Sequence, residues 1–415
     1  MAAEKVRIRY EGKNLDCRAG TSVAAALWEN GVRHLSHSPK YGRPRGVTCA
    51  RGHCTACLMR VDGIPNVRVC ELPVREGQDI RRQDAGAFYA APMQKILAAG
   101  DSLFPVGFYY KWFTRPPFLS RMFLQGIRPM TGVGRAPEDT RALRALPAAA
   151  TDQEAPAPTR TDLGHFDTII VGSGPAGLDA AAAADGKVLL IDDHAEPGGQ
   201  RFGALIRLAD APTAPLDKFS FLGSALDRIQ TARHQADDRP GLTYLAGTRA
   251  IAGYGPDGIL LRREGQLNTV RFGSLVWAAG ALDTLGIFPG NDTPGLVGPR
   301  ALYRLLVRDG LDVRGQQVLV IGSGFDFWLS AALLSARGAR PTLVVTGEDG
   351  LDGIPPAVDL GWQLHTGLQL DSVGPRGPQA LTANFSPARG PSSSGTSRME
   401  MEASLAVACF RGKPA

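Results

Sequence analysis

Four cysteines in one short stretch carry the densest chemistry in the chain. The segment Val47-Thr-Cys49-Ala-Arg-Gly-His-Cys54-Thr-Ala-Cys57, followed by Cys70, has the spacing C-x4-C-x2-C-x12-C. Thiolates are soft anionic ligands, and four of them on one tight loop and a neighbouring strand can wrap two bridged irons. This spacing, with a distant fourth cysteine, begins as [2Fe–2S] sites do, so the chemistry indicated is one-electron transfer. Structural zinc and free thiols are the alternatives. Four-cysteine zinc sites usually pair two short knuckles across a longer gap, whereas three of these cysteines fall within nine residues. His53 lies between two of them, but a Rieske centre needs two histidines and four cysteines already suffice. It is read as a surface or backbone-bonding residue. His34 and His37 are read as part of a solvated turn, with a flavin-phosphate or partner contact as the alternative.

A second constellation follows the apolar run Thr168-Ile-Ile-Val171. Gly172-Ser-Gly174-Pro175-Ala176-Gly177 comes at once, then an Ala-rich helix, then the run Val188-Leu-Leu-Ile191 ending in Asp192. This is the dinucleotide fingerprint between strand and helix. Gly172 permits the tight turn, Gly174 lets a pyrophosphate approach the backbone, and Gly177 lets the helix pack on the strand. The phosphates would sit on the helix N-terminus, and Asp192 can accept from a ribose hydroxyl. The ribose is common to FAD and NAD, so the acid does not choose between them. A similar stretch, Val318-Leu-Val-Ile-Gly322-Ser-Gly324-Phe-Asp326-Phe327, has Phe at the third glycine position and an acid where phosphate would lie. It reads as a Rossmann-like layer without a nucleotide. No Ser/His/Asp nucleophile, paired carboxylates or internal repeat stand out, so no catalytic residue is assigned.

These groups need elements to position them. Residues 5–17 alternate, with a turn at Glu11-Gly12-Lys13. Thr21 is read as the cap of a helix through SVAAALWENG, closed by Gly31. LMRVDG reads as a strand and turn, and Val67–Cys70 as another strand that ends on the fourth ligand. Two strands, a helix, a metal loop and two more strands make a β-grasp ferredoxin-like domain over 1–85. Residues 86–165 are a Pro- and aromatic-rich connecting segment, with 135–163 as linker. A first dinucleotide-binding domain is expected over 166–290, a second Rossmann-like domain over 291–385, and 386–415 as a shortened return to the first. The fold class is α/β.

Length and composition agree. At 415 residues two or three domains are expected. The net charge of +6 is scattered rather than gathered on a helix, which argues against nucleic-acid binding. Six cysteines, four of them clustered, are not a disulfide framework. A reducing cytoplasm suits them. Cys17 and Cys409 are read as buried small hydrophobes. The N-terminus lacks an apolar signal core. The aromatic stretch 104–123 is broken by prolines and charges, so no membrane span is expected.

The combination resembles the α subunits of heterotetrameric sarcosine oxidase and the related amine and opine dehydrogenases, hydrogen cyanide synthase and dye-linked proline dehydrogenases. The resemblance rests on Pro44-Arg-Gly46, Phe108–Pro117, the GSGPAG motif, Gly198-Gly199-Gln200, Trp277-Ala-Ala-Gly280-Ala and Phe288-Pro-Gly290. It implies a flavoprotein-like module of the pyridine nucleotide-disulfide reductase type. It also implies FAD, NAD or ATP at the first nucleotide site, with Gly199, Gln200 and Gly280 beside Gly172–Gly177. The implied partner is an FAD-dependent β subunit similar to D-amino-acid oxidases, with further small subunits in some relatives. That partner oxidises an amine carbon, and FMN at the subunit boundary passes electrons to the cluster and an acceptor. Three departures qualify the resemblance. Sarcosine oxidase lacks the ligand cysteines in its ferredoxin-like domain, whereas this chain has all four. The C-terminal folate-handling domain is absent, and the sequence ends before the segment that contacts the flavin ribityl chain. The intact cysteines point to the dehydrogenase branch, and folate-coupled demethylation is not expected. The alternative is a self-contained NAD(P)H-dependent flavin and iron–sulfur reductase.

Overall fold

The computed structural model describes residues 4–37, 43–82, 115–121, 160–211, 219–255, 258–346, 361–388, 398–410 and 413–414. The N-terminal unit is a five-stranded sheet packed on one helix. Its strands are β1 (Lys5–Tyr10), β2 (Lys13–Arg18), β3 (Leu58–Val61), β4 (Ile64–Arg68) and β5 (Asp79–Arg81), ordered β2-β1-β5-β3-β4. β1 and β5 are parallel neighbours, and the other pairs are antiparallel. Helix α1 (Val23–Glu29) is a short run of good helix formers, and Val23 to Trp28 are all buried. Its cap is Ser22 rather than Thr21: the Ser22 hydroxyl accepts from Ala25 N–H, while Thr21 donates to the Arg18 carbonyl.

The second sheet comprises β6 (Arg160–Val171), β7 (Val188–Ile191), β8 (Leu242–Leu245), β9 (Thr248–Gly253), β10 (Ile259–Arg263) and β11 (Gln266–Trp277). Its order is β8-β7-β6-β11-β10-β9. The first four strands run parallel and the last two close an antiparallel meander. Ile169, Ile170 and all of β7 are buried, the continuous apolar pattern of a sheet covered on both faces. Helices α2 (Pro175–Ala183), α3 (Gln200–Ala209) and α4 (Ser220–Asp237) cover one side. β6 begins eight residues before the expected run, so Arg160–Leu163 are strand and not linker. They carry no apolar pattern because they extend past the core, yet their backbones pair with β11 at Arg160↔Leu267.

The third sheet, entirely parallel, has the order β12-β19-β13-β14-β15. These are β12 (Leu296–Val297), β13 (Gln317–Gly322), β14 (Arg340–Val345), β15 (Gln363–His365) and β19 (Leu405–Cys409). Helix α5 (Pro299–Val307) links β12 to β13, and α6 (Phe325–Ala336) links β13 to β14. A small antiparallel sheet, β16 (Leu368–Pro375), β17 (Leu381–Pro387) and β18 (Met399–Ala403), is inserted before β19. One expectation is corrected here. Residues 405–409 do not rejoin the first nucleotide domain: they form the second strand in the order of the third sheet, and all five are buried. An all-apolar run needs cover on both faces, and the position between β12 and β13 supplies it. Farther on, Lys413–Pro414 pair with Ala281–Leu282 of the first domain. Apart from 115–121 and 160–165, the connecting segment 86–165 lies outside the described residues.

Candidate redox and nucleotide site

The cysteine loop leaves its strands in a way that crowds the four sulfurs. Cys57 immediately precedes β3, and Cys70 lies in the turn after β4. Val69 N–H donates to the Cys57 carbonyl, tying the two together. Ala50 and Gly52 take positive φ (48° and 67°) to make the sharp bend, and a Cβ on Gly52 would lie 2.7 Å from Glu71 Oε2. Backbone N–H groups point inward: Arg51 and Cys54 donate to Cys49 Sγ, each at 3.4 Å, and Gly52 donates to Cys70 Sγ at 3.3 Å. Such donors stabilise anionic sulfur.

The four thiols bear on one another electrostatically, Cys54 and Cys70 on Cys49, and Cys70 on Cys57. Donation from Cys54 and Cys70 pulls the Cys49 thiol far down, and these same bonds together with burial push Cys54 and Cys70 up. Four thiolates this close repel one another, so all four ionise only around a cationic centre. Three ligands on one loop, a fourth after β4 and N–H donors aimed at the sulfurs suit a [2Fe–2S] centre. Cys17 and Cys409 are buried elsewhere, and burial raises the Cys17 thiol to about 11.

The first glycine turn opens onto a cavity of about 520 Å³, within the range of small-molecule sites. Gly172 has φ +104°, and a Cβ there would lie 2.3 Å from the Ala278 carbonyl oxygen. A Cβ on Gly177 would lie 1.8 Å from the Gly172 carbonyl oxygen. Gly172, Gly174, Pro175, Asp192, Gly199, Gln200 and Gly280 all line the cavity. Ala176 and Gly177 do not: Ala176 is exposed, and Gly177 seats α2 on the strand. Gln200 Oε1 is buried without a hydrogen-bond partner, an acceptor in the wall that a ligand donor would satisfy.

Asp192 is on this wall, but its oxygens already serve the chain. Oδ2 accepts from Ser173 N–H (2.6 Å) and Ser173 Oγ (2.8 Å), and Oδ1 from His194 N–H (2.8 Å) and Nδ1 (2.9 Å). Burial pushes its pKa up, and these bonds more than reverse that, leaving it below the usual carboxylate range. Asp192 thus pins the glycine turn. The neighbouring Asp193 is more exposed, contacting His194 Nδ1 at 3.0 Å and Arg249 at 3.2 Å. Sequence reading passed over it because either of two adjacent acids satisfies the fingerprint.

The two sites meet through α5. Arg300, Arg304 and Arg308 recur at one-turn spacing along this helix and its cap. Arg300 binds Asp283. Arg304 donates to the Ala50 carbonyl (3.2 Å) and to His194 Nε2 (2.9 Å), and lies 3.7 Å from Glu71. Arg308 donates to the Cys70 carbonyl (2.9 Å) and to Asp309, whose buried carboxylate accepts from Ser22 N–H. Hydrogen bonding to Asp192 and Asp193 raises the His194 pKa. Sequence reading missed this stripe, although arginines at i, i+4 and i+8 were visible signals. Arg51 and His53 of the cysteine loop themselves line the nucleotide cavity.

The second glycine turn is filled. Asp326 takes a bidentate pair from Arg201 of α3 (2.7 and 2.6 Å) and a bond from Tyr303. Phe327 is fully buried against Trp328.

Comparison with known proteins agrees with this architecture. Residues 3–85 match the family model described as a 2Fe-2S iron-sulfur cluster binding domain. Sarcosine oxidase subunit alpha of Rhizobium meliloti (strain 1021) is 25% identical over 398 residues, covering 90% of this chain and 37% of the relative. The chain therefore spans little more than a third of the length of that relative. Hydrogen cyanide synthase subunit HcnA of Pseudomonas aeruginosa is 32% identical over 76 residues, 18% of this chain and 72% of that subunit. Among solved structures, L-proline dehydrogenase from P. horikoshii superposes with a TM-score of 0.54 at 16% identity, over 99% of this chain and 61% of that one. This likeness is one of fold. No described helix is long and apolar enough to cross a membrane.

Proposed function

The chain belongs to the family of sarcosine oxidase α subunits and their iron–sulfur-carrying relatives, and from that premise we propose that it is the electron-transferring subunit of a multisubunit flavin-dependent amine or amino-acid dehydrogenase. The observation that carries the reading is the loop that holds Cys49, Cys54 and Cys57 near Cys70, with backbone N–H groups aimed at Cys49 and Cys70. Cys49, Cys54, Cys57 and Cys70 would hold a [2Fe–2S] cluster, which when bound supplies one-electron transfer. The loop N–H groups offset the charge on the sulfurs, and burial of Cys57 and Cys70 limits water access. In the nucleotide cavity, Gly172, Gly174 and Gly199 form the cradle, the N-terminus of α2 faces the phosphates, and Asp193 is the accessible acceptor for a ribose hydroxyl. FAD is the nucleotide favoured, with NAD or ATP at the same site as the other members of the class.

Oxidation of the substrate carbon is assigned to a partner subunit carrying FAD on the family reading; the Asp192–His194 pair on the cavity wall is engaged by Ser173 and Arg304. Large apolar side chains stand exposed at Trp277, Leu282 and Ile287, and Leu282 and Trp277 rim the nucleotide cavity. Such a patch suits a subunit contact. FMN at that boundary follows from the family reading. The self-contained NAD(P)H reductase is disfavoured: a second nucleotide would have to displace the Arg201–Asp326 pair.

Purification from native cells tests the proposal. The chain is expected to co-purify with a flavoprotein whose absorbance bleaches anaerobically with an amine or amino acid. A chain that purifies alone and is reduced directly by NADH would contradict it.

A further inference from the structure

Arg51 belongs to both sites at once. Its backbone N–H donates to Cys49 Sγ at 3.4 Å, and its side chain lines the nucleotide cavity. That side chain is only 12% exposed, and its nearest carboxylate, Asp193, is 3.8 Å away, too far for a hydrogen bond. The guanidinium makes no hydrogen bond among the described residues. The other cations of the cavity are committed: Arg201 to Asp326, Arg300 to Asp283, and Arg249 to Asp193 from a largely exposed position. Arg51 is thus the sheltered cation left to meet an anionic ligand, and a guanidinium is suited to phosphate oxygens. A second link runs alongside it. Asp192 bonds His194, His194 bonds Arg304, and Arg304 bonds the Ala50 carbonyl, one residue from a ligand cysteine.

We propose that the nucleotide site spans both domains: Arg51 of the cysteine loop binds the nucleotide's phosphates, so that nucleotide occupancy and the redox state of the iron–sulfur cluster are coupled. This rests on reading Gly172–Gly177 as a nucleotide site and Cys49–Cys70 as the cluster site. The sign follows from charge. A bound polyphosphate adds negative charge and engages a cation beside the cluster, and both effects disfavour an extra electron there. Occupancy therefore lowers the cluster's reduction potential, and by linkage reduction weakens nucleotide binding by the same factor.

The test uses the intact protein, depleted of nucleotide with its cluster in place, and ADP as probe, since FAD, NAD and ATP share that moiety. Equilibrium dialysis is run anaerobically on the oxidised and the dithionite-reduced protein. ADP should bind roughly five- to tenfold more weakly to the reduced form, the size expected of one extra charge roughly 10 Å away. Arg51→Ala should weaken ADP binding to the oxidised form roughly tenfold, leave adenosine binding unchanged and abolish the redox dependence; Arg51→Lys should restore part of it. Iron content and the visible spectrum identify any variant that has lost its cluster, and the wild-type comparison needs no variant. Equal ADP affinity in the two redox states overturns the coupling and leaves the nucleotide reading standing. Equal loss of adenosine and ADP binding in Arg51→Ala overturns the phosphate contact. Failure of ADP to bind at all overturns the nucleotide reading and this inference together.

Discussion

The two glycine turns, at 172–177 and 322–327, share a place in the strand-to-helix fold and differ in what they face. Each ends a buried parallel strand and opens a helix, and each begins with a left-handed glycine, Gly172 at φ +104° and Gly322 at +128°. The first glycine does the same packing job in both: a Cβ on Gly172 would lie 2.3 Å from the Ala278 carbonyl oxygen, and one on Gly322 would lie 2.2 Å from that of Cys409. They part at the second glycine, where Gly174 has φ −69° and Gly324 +82°, at the third position and in their surroundings. Gly177 lets α2 close against the turn, leaving an open cradle that borders the cysteine loop. Phe327 instead fills the space under α6, and the Arg201–Asp326 pair occupies the mouth. The glycine turn is thus a requirement of the strand-to-helix fold, and its capacity for a ligand is set by long-range neighbours.

That contrast can be broken first at Gly177. Gly177→Val places a side chain where even a Cβ would meet backbone at 1.8 Å, and backbone cannot yield as a flexible side chain can. The variant should lose bound nucleotide altogether and about 3 kcal/mol of stability. Mass analysis of extracted nucleotide and thermal unfolding would show it, and retained nucleotide would mean that the phosphates lie elsewhere. The second turn is probed by Asp326→Ala. The pair with Arg201 is half-buried, so its loss should cost about 1–2 kcal/mol. Nucleotide stoichiometry should remain one per chain, and a second equivalent in the variant would show that the turn is merely blocked rather than unsuited. The smallest effect is expected at Asp192→Asn. The turn loses a charged acceptor for Ser173, and ADP binding should weaken several-fold. Because the native Asp192 pKa is depressed, its contribution to stability is present above about pH 4 and fades as the pH falls through the lower native value. The stability gap between wild type and Asp192→Asn should narrow in that acidic window; a gap independent of pH would assign the effect to shape alone.

What the sequence disclosed was whatever is local. The four cysteines and the first fingerprint are read from spacing, because a loop that wraps a cluster and a turn that cradles phosphate are each built from neighbouring residues. The negative reading of the second turn was likewise available from Phe327 and Asp326. Contacts between distant segments were not. Nothing near His194 announces Arg304, 110 positions later, and nothing near Ala50 announces it across 254. Strand ends were misjudged for a related reason: Arg160–Leu163 are held by backbone pairing and by the cross-strand Asp162–Arg271 ion pair, which leave no alternating apolar pattern. The placement of Leu405–Cys409 in the third sheet depends on two partners that only the fold brings alongside.

Metal analysis joined to EPR of the intact protein, purified anaerobically, tests the redox assignment most directly. The account predicts two irons and two acid-labile sulfides per chain, with a paramagnetic signal that appears on dithionite reduction and disappears in Cys49→Ser. One zinc per chain, or iron without a reducible signal, would contradict it.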